Sequence, residues 1–104
     1  LRREAMESLM VNWVRNDPSA AGRFLENLPA GKSREAAILT YVNQASAQSP
    51  ELAAPFVNQV GDDNQRYSSA QAVAKHFERS DPAGYAKWLA TLNLREEELK
   101  SLAK

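Results

Sequence analysis

The sequence predicts an all-α fold built from three copies of one helical hairpin. Pro18, Pro50 and Pro82 stand 32 residues apart, and each follows an aspartate or a serine. Apolar residues recur on both sides of each proline at the spacing of one helix face, and no segment shows the alternation typical of a strand. A fixed period of this length is characteristic of repeat proteins in which each unit is one supersecondary structure.

The second helix of each hairpin is expected to begin at the proline. Asp17, Ser49 and Asp81 can each accept a hydrogen bond from a first-turn amide, and proline at the first helical position loses no bond that the helix needs. Apolar residues then follow at positions i, i+3, i+4 and i+7, which form one buried stripe. The stripe residues are Ala21, Phe24, Leu25 and Leu28; Ala53, Phe56, Val57 and Val60; and Tyr85, Trp88, Leu89 and Leu92.

The first helix of each hairpin shows the same spacing before the proline. Its stripe residues are Met6, Leu9, Met10 and Trp13; Ile38, Tyr41, Val42 and Ala45; and Ala70, Val73, Ala74 and Phe77. Asp62 with Gln65, and Asn93 with Glu96, have the spacing of a capping box. A short closing helix is therefore expected to open at about Leu94, where Leu102 would continue the stripe.

The predicted repeats span about 1–32, 33–64 and 65–96, with a partial unit at 97–104. One hairpin of such short helices cannot bury its stripe alone, so the units should stack side by side into a single domain, an α-solenoid over residues 1–104. Because both ends lie within a repeat, we expect the chain to be a fragment of a longer protein. Pro55, inside the middle second helix, should kink that helix or delay its start.

The unit resembles known helical repeats. Its order is Asp-Pro, small residues, aromatic-Leu, Leu-Pro, Gly, Arg, small residues and an aromatic before the next Asp-Pro. It resembles the short helical-hairpin repeats carried in tandem by many uncharacterised bacterial proteins, and is broadly similar to tetratricopeptide repeats, although its period is 32 residues rather than 34. The resemblance implies a scaffold that binds proteins or peptides, and it implies no catalytic residue.

Composition disfavours two classes of partner. Thirteen basic and thirteen acidic residues give a formal charge of zero, which withholds the attraction that most nucleic-acid binders use. No apolar run approaches the roughly 20 residues of a membrane-spanning helix. We therefore expect no nucleic-acid partner and no membrane insertion.

No sequence pattern predicts a catalytic residue, a cofactor or a metal. A Gly-rich phosphate loop, a nucleophile elbow and paired carboxylates on an apolar face are all missing, and the chain has no cysteine. His76 is the only histidine and has no second ligand one helical turn away. A stretch that begins like a calcium loop at Asp62 has Arg66 and Tyr67 where such a loop needs an oxygen ligand and a glycine.

Three arginines share one repeat position, Arg2, Arg34 and Arg66, and Glu98 takes that position in the last unit. They could form an anion-binding row. We favour a structural role, in which each guanidinium donates to unpaired carbonyls at the end of a neighbouring helix while its stem packs on the core.

A polar row on the first helices is the candidate partner groove. Asn12, Gln44 and His76 share one repeat position, and Ser8 and Thr40 share the position one turn earlier. By analogy with related solenoids, first helices line the concave side, where regularly spaced hydrogen-bonding groups suit an extended peptide. A solvated flank that binds nothing is equally consistent with these residues.

The sequence thus predicts a non-enzymatic protein- or peptide-binding scaffold. One alternative is an accessory domain of a longer enzyme, beside a catalytic unit located elsewhere in that protein. Another is an RNA-binding repeat in which each unit reads one base, which the zero net charge disfavours.

Overall fold

The structure is a computed structural model that describes residues 3–103, apart from the side chains of Arg3 and Met6. This part of the chain is all-helical, with seven α-helices, one 3₁₀ helix and no strand. The helices are α1 (Arg3–Asn16), α2 (Pro18–Glu26), α3 (Lys32–Gln48), α4 (Pro50–Ala53), the 3₁₀ helix (Ala54–Gln59), α5 (Asp63–Ser80), α6 (Pro82–Leu89) and α7 (Glu96–Ala103). The all-α prediction is confirmed.

Aspartates cap three of the helices. Asp17 accepts from the Ala20 N–H and Asp81 from the Gly84 N–H, both at 3.0 Å. Asp62 accepts from the Gln65 N–H at 2.9 Å. These bonds satisfy first-turn amides that have no partner within the helix.

Ser49 makes no side-chain cap, so that part of the prediction is wrong. The helix that follows it, α4, is a single turn that stops at Ala53. The chain continues as the 3₁₀ helix with Pro55 near its start, so the helix is not delayed as one form of the prediction had it, but changes type at the position where a kink was expected. Proline has no N–H to donate and its ring clashes with the preceding turn, so the α-helical pattern cannot continue through it.

The closing helix α7 begins at Glu96, not Leu94. Its capping interaction also lies two residues later than predicted, because the Arg95 N–H donates to Glu98 Oε1 at 3.2 Å. The Arg95 guanidinium lies 3.3 Å from Glu98 Oε2, and Glu98 is buried. The capping box predicted at Asn93 and Glu96 is therefore wrong in register.

The predicted stripes form one core. Those of α3, α5 and the second helices are buried or half-buried throughout, and Leu102 of α7 packs against the same core. The α1 stripe is the exception, since Leu9 is 42 % exposed while Met10 and Val14 face the core. The equivalent of Leu9 in the next unit, Tyr41, is buried and lies against Gly22 of α2.

Helices α1, α3 and α5 form a layer in which each contacts the next, and α7 contacts α5. The second helices α2, α4 and α6 contact α1, α3 and α5 respectively. We call these pairs the first, second and third hairpins, the second including the 3₁₀ helix. The molecule measures 39 × 25 × 18 Å.

Aromatic contacts follow the repeat register. The ring centroids of Trp13 and Phe24 lie 4.9 Å apart in the first hairpin, and those of Phe77 and Trp88, at the same repeat positions, lie 5.7 Å apart in the third. The second hairpin has Ala45 at the first of these positions. There Phe56 contacts Tyr41 instead, at 5.2 Å. Tyr41, Phe56, Phe77 and Trp88 are buried in the core, and Trp13 and Phe24 are half-buried against it.

Candidate functional site

The predicted groove residues all lie at the surface of the first-helix layer. Ser8 and Asn12 are on α1, Thr40 and Gln44 on α3, and His76 on α5. Ser8, Asn12 and Gln44 are exposed, while Thr40 and His76 are half-buried. A partner could therefore contact Ser8, Asn12 and Gln44 more fully than Thr40 and His76.

The structure brings two of the five into one depression. Ser8 and Asn12 line an open groove of about 430 Å³ on α1, together with Glu4, Glu7 and Val11. Thr40, Gln44 and His76 lie outside it. A peptide that followed the whole row would therefore leave this groove and cross the exposed faces of α3 and α5.

A larger groove between the amino-terminal ends of α3 and α5 was not predicted from the sequence. It encloses about 470 Å³ and is lined mainly by α3, with Gln65 from the first turn of α5. Leu39 and Ala36 give it an apolar patch, and Lys32 and Glu35 give it both signs of charge. None of the five predicted groove residues lines it.

A third groove lies on the opposite layer, between α2 and α4, and we call it the α2–α4 groove. It encloses about 260 Å³. Tyr41, Phe56 and Gly22 form its floor, and Arg23, Glu26 and Glu51 stand on its rim. A Cβ atom added to Gly22 would lie 3.0 Å from the Tyr41 hydroxyl, so any larger residue there would require the tyrosine to shift by a few tenths of an ångström.

Tyr41 anchors α3 to the first hairpin at this floor. Its hydroxyl donates to the Pro18 carbonyl at 2.9 Å. Burial raises the pKa of Tyr41 to about 12, and the charges of Glu26 and Glu51 act in the same direction. The hydroxyl is therefore protonated at neutral pH and serves as a donor. The charges of both carboxylates are felt at the groove floor, since both raise the pKa of Tyr41.

The arginine position has a structural role at Arg66. Its guanidinium donates to the Val60 carbonyl at 2.9 Å and to the Asn93 carbonyl at 2.8 Å, and it pairs with Asp63. The Val60 carbonyl directly follows the 3₁₀ helix, as the structural interpretation predicts, whereas the Asn93 carbonyl lies in the loop between α6 and α7.

The other members of the arginine row behave differently. Arg34 donates to the Gln59 side chain at 2.6 Å, so its partner is an amide oxygen and not a helix carbonyl. Arg2 lies outside the described residues. Arg66 is thus the member of the row that matches the predicted carbonyl contacts.

Two side chains hold the second and third hairpins together by hydrogen bonds. The sequence did not predict this role for either of them. Asn58 donates to the Thr91 carbonyl and accepts from the Asn93 N–H, each at 2.8 Å. The Trp88 indole donates to the Ala54 carbonyl at 3.0 Å. The apolar stripe predicted Trp88 as core, but periodicity carries no information about where an indole N–H points.

Among the described residues, no group of three or more histidine or acidic side chains is placed to hold a metal ion. None of the described helices combines the length and apolar character needed to cross a membrane.

Comparison with known protein families, curated proteins and solved structures finds no match to this chain.

Proposed function

We propose that this chain is an α-solenoid module, without catalytic activity of its own, that binds an extended peptide along its first helices. The observation that carries the proposal is the order of the first-helix layer, in which α1 contacts α3 and α3 contacts α5. This order supports a stack of three hairpins in which equivalent residues recur along one surface.

The chemistry of that surface suits a peptide backbone. Asn12 and Gln44 each carry an amide that can donate and accept, and both are exposed. Ser8 and Thr40 add hydroxyls one helical turn away. An extended peptide presents N–H and C=O groups at regular intervals, so a row of such side chains can bind its main chain while the flanking grooves receive its side chains.

The proposal is tested by selecting binding peptides from a random displayed library and measuring their affinity for three proteins. The first is the parent chain and the second carries Asn12→Ala, Gln44→Ala and His76→Ala. The third is a control with Asn43→Ala and Gln71→Ala, exposed amides about 100° or more around α3 and α5 from the row.

We expect the triple variant to lose about tenfold or more in affinity for the selected peptides, since three side-chain contacts are removed. The control should bind as the parent does. Because the amides of Asn12 and Gln44 and the hydroxyls of Ser8 and Thr40 carry no charge, binding should also persist in high salt. Equal affinity of the parent and a folded triple variant would exclude this row as the binding surface.

A further inference from the structure

The two junctions between hairpins are built from equivalent positions but are closed to different degrees. At the junction of the second and third hairpins, Asn58 and Trp88 make three hydrogen bonds to backbone groups across the gap. Their equivalents one repeat earlier are Glu26 and Phe56. Phenylalanine has no N–H to donate, and a carboxylate cannot both donate and accept as an amide does. The α2–α4 groove lies at this less closed junction.

The rim of this groove carries unpaired charge. Glu26 is the last residue of α2 and Glu51 lies in the first turn of α4, so the two carboxylates come from opposite sides of the junction. Both side chains are exposed, and within residues 3–103 neither forms an ion pair or a side-chain hydrogen bond. The groove therefore offers acceptors for a donor group of positive charge.

The floor and walls between these carboxylates are apolar. The Phe56 and Tyr41 rings meet edge to face at 5.2 Å, and Pro55 and Leu52 continue the surface. The two rings are almost fully buried, so they close the floor of the groove, while Pro55 and Leu52 form its accessible wall. A planar guanidinium donates two parallel hydrogen bonds to a carboxylate. The aliphatic stem of the same side chain can lie on proline and leucine.

We propose that the α2–α4 groove binds the guanidinium of an arginine side chain presented by a partner peptide. Glu26 and Glu51 accept its hydrogen bonds, and its stem packs on the wall formed by Pro55 and Leu52. This surface shares no residue with the first-helix row, so the proposal does not depend on peptide binding there.

The charge of Arg23 should oppose the binding of a guanidinium in this groove. It stands on the same rim, its side chain is exposed, and it forms no ion pair with another described residue. Its positive charge repels an incoming guanidinium and attracts the same carboxylates. Removing this charge should therefore strengthen binding, whereas removing Glu26 or Glu51 should weaken it.

The test is an amide chemical-shift titration of the isotope-labelled chain with three blocked tripeptides: Gly-Arg-Gly, Gly-citrulline-Gly and Gly-Lys-Gly. Citrulline has nearly the shape of arginine without its charge, and lysine has the charge without the planar donor group. The variants are Glu26→Gln, Glu51→Gln and Arg23→Gln. Glu97→Gln, an exposed glutamate on α7, is the matched control for lost negative charge.

We expect the arginine peptide to shift the Gly22, Tyr41 and Phe56 amides and to bind more tightly than either of the others. Each of Glu26→Gln and Glu51→Gln should weaken its binding about two- to fivefold, as for exposed ion pairs, while Arg23→Gln strengthens it and Glu97→Gln leaves it unchanged. The spectrum of each variant reports whether it is folded. Equal binding of citrulline or lysine, or weaker binding by Arg23→Gln, would overturn the assignment.

Discussion

Trp88 shows how a single residue contributes both to the core and to the junction between two hairpins. Its ring is only 8 % exposed and contacts Phe77 and Tyr85, while its indole N–H binds the Ala54 carbonyl. The sequence predicts the first role from helical spacing. The second depends on the exact approach of the 3₁₀ helix to α6.

Trp88→Ala should lower the free energy of unfolding by about 3–5 kcal/mol, as loss of a large core aromatic does. Trp88→Phe keeps most of the ring contact but loses the hydrogen bond to Ala54, and should cost about 1–2 kcal/mol. Denaturant unfolding measures both. Leu9→Ala is the control, since this leucine is 42 % exposed and its loss should cost clearly less than that of Trp88. A Trp88→Ala protein as stable as the parent would mean that this stripe does not face the core.

Ser69→Ala is expected to stabilise the protein, in contrast to the substitutions at Trp88. It is fully buried on α5, and among the described residues its hydroxyl has no hydrogen-bond partner. Ala37 occupies the same repeat position on α3 and is equally buried. Ser69→Ala should raise the free energy of unfolding by about 1 kcal/mol, because it removes an unpaired polar group and favours the helix.

The reciprocal substitution Ala37→Ser is the matched test of that argument. It should destabilise the protein by about 1–3 kcal/mol by burying a hydroxyl without a partner. Thermal or urea unfolding of the two variants would show opposite shifts. A destabilised Ser69→Ala protein would indicate that this hydroxyl is satisfied in solution.

At the scale of the helices, the repeated proline marks three starts that are not equally stabilised. Asp17 and Asp81 cap α2 and α6, but Ser49 leaves α4 without a side-chain cap, and α4 ends after one turn. Pro55 then forces the change to a 3₁₀ helix. The middle hairpin therefore has the weakest second helix by local criteria, and its position depends on packing against α3 and α5.

Loss of a capping aspartate should lower the stability of the protein. Asp81→Ala should cost about 1 kcal/mol, because the Gly84 N–H loses its acceptor, and Asp17→Ala should cost a similar amount. Ser49→Ala should change stability by less than about 0.5 kcal/mol, since no cap is lost. Urea unfolding of the three single variants tests this. Equal losses for Ser49→Ala and Asp81→Ala would mean that Ser49 caps α4 in solution.

For the molecule as a whole, the hairpins are joined by a small number of polar contacts across a continuous apolar core. Tyr41 links α3 to the Pro18 carbonyl, Arg66 donates to the Val60 and Asn93 carbonyls, and the Tyr85 hydroxyl donates to the Leu102 carbonyl of α7 at 2.7 Å. Burial also raises the pKa of Tyr85, and Glu78 adds to this. Both tyrosines thus donate their protons in contacts between units.

Stability should therefore decline in strong base. The pKa of Tyr41 is about 12 in the folded protein and near 10 when unfolded, so its contribution is fully present below pH 10 and is lost as the pH rises from 10 to 12. Urea unfolding at about pH 9 and about pH 11 should show a smaller pH-dependent loss in Tyr41→Phe than in the parent. Tyr67→Phe, which leaves Tyr41 in place, is the control, and a Tyr41→Phe protein with the parent's full pH dependence would contradict this role.

The sequence by itself determined the helical class, the place of each proline-initiated helix and nearly all of the core. Local spacing is sufficient for these features because a helix presents residues three and four apart on one face, and because a proline or a capping side chain acts on the adjacent turn. The exposed Leu9 departs from this pattern because burial also requires a neighbouring helix.

Only the tertiary structure decided which surface groups come together. It brought Glu26 and Glu51 to opposite sides of one groove and closed the next junction with Asn58 and Trp88. These groups belong to different helices or face a gap between hairpins. Their separation depends on the angle and distance at which helices pack, which the side chains of the entire core set jointly and no local pattern encodes.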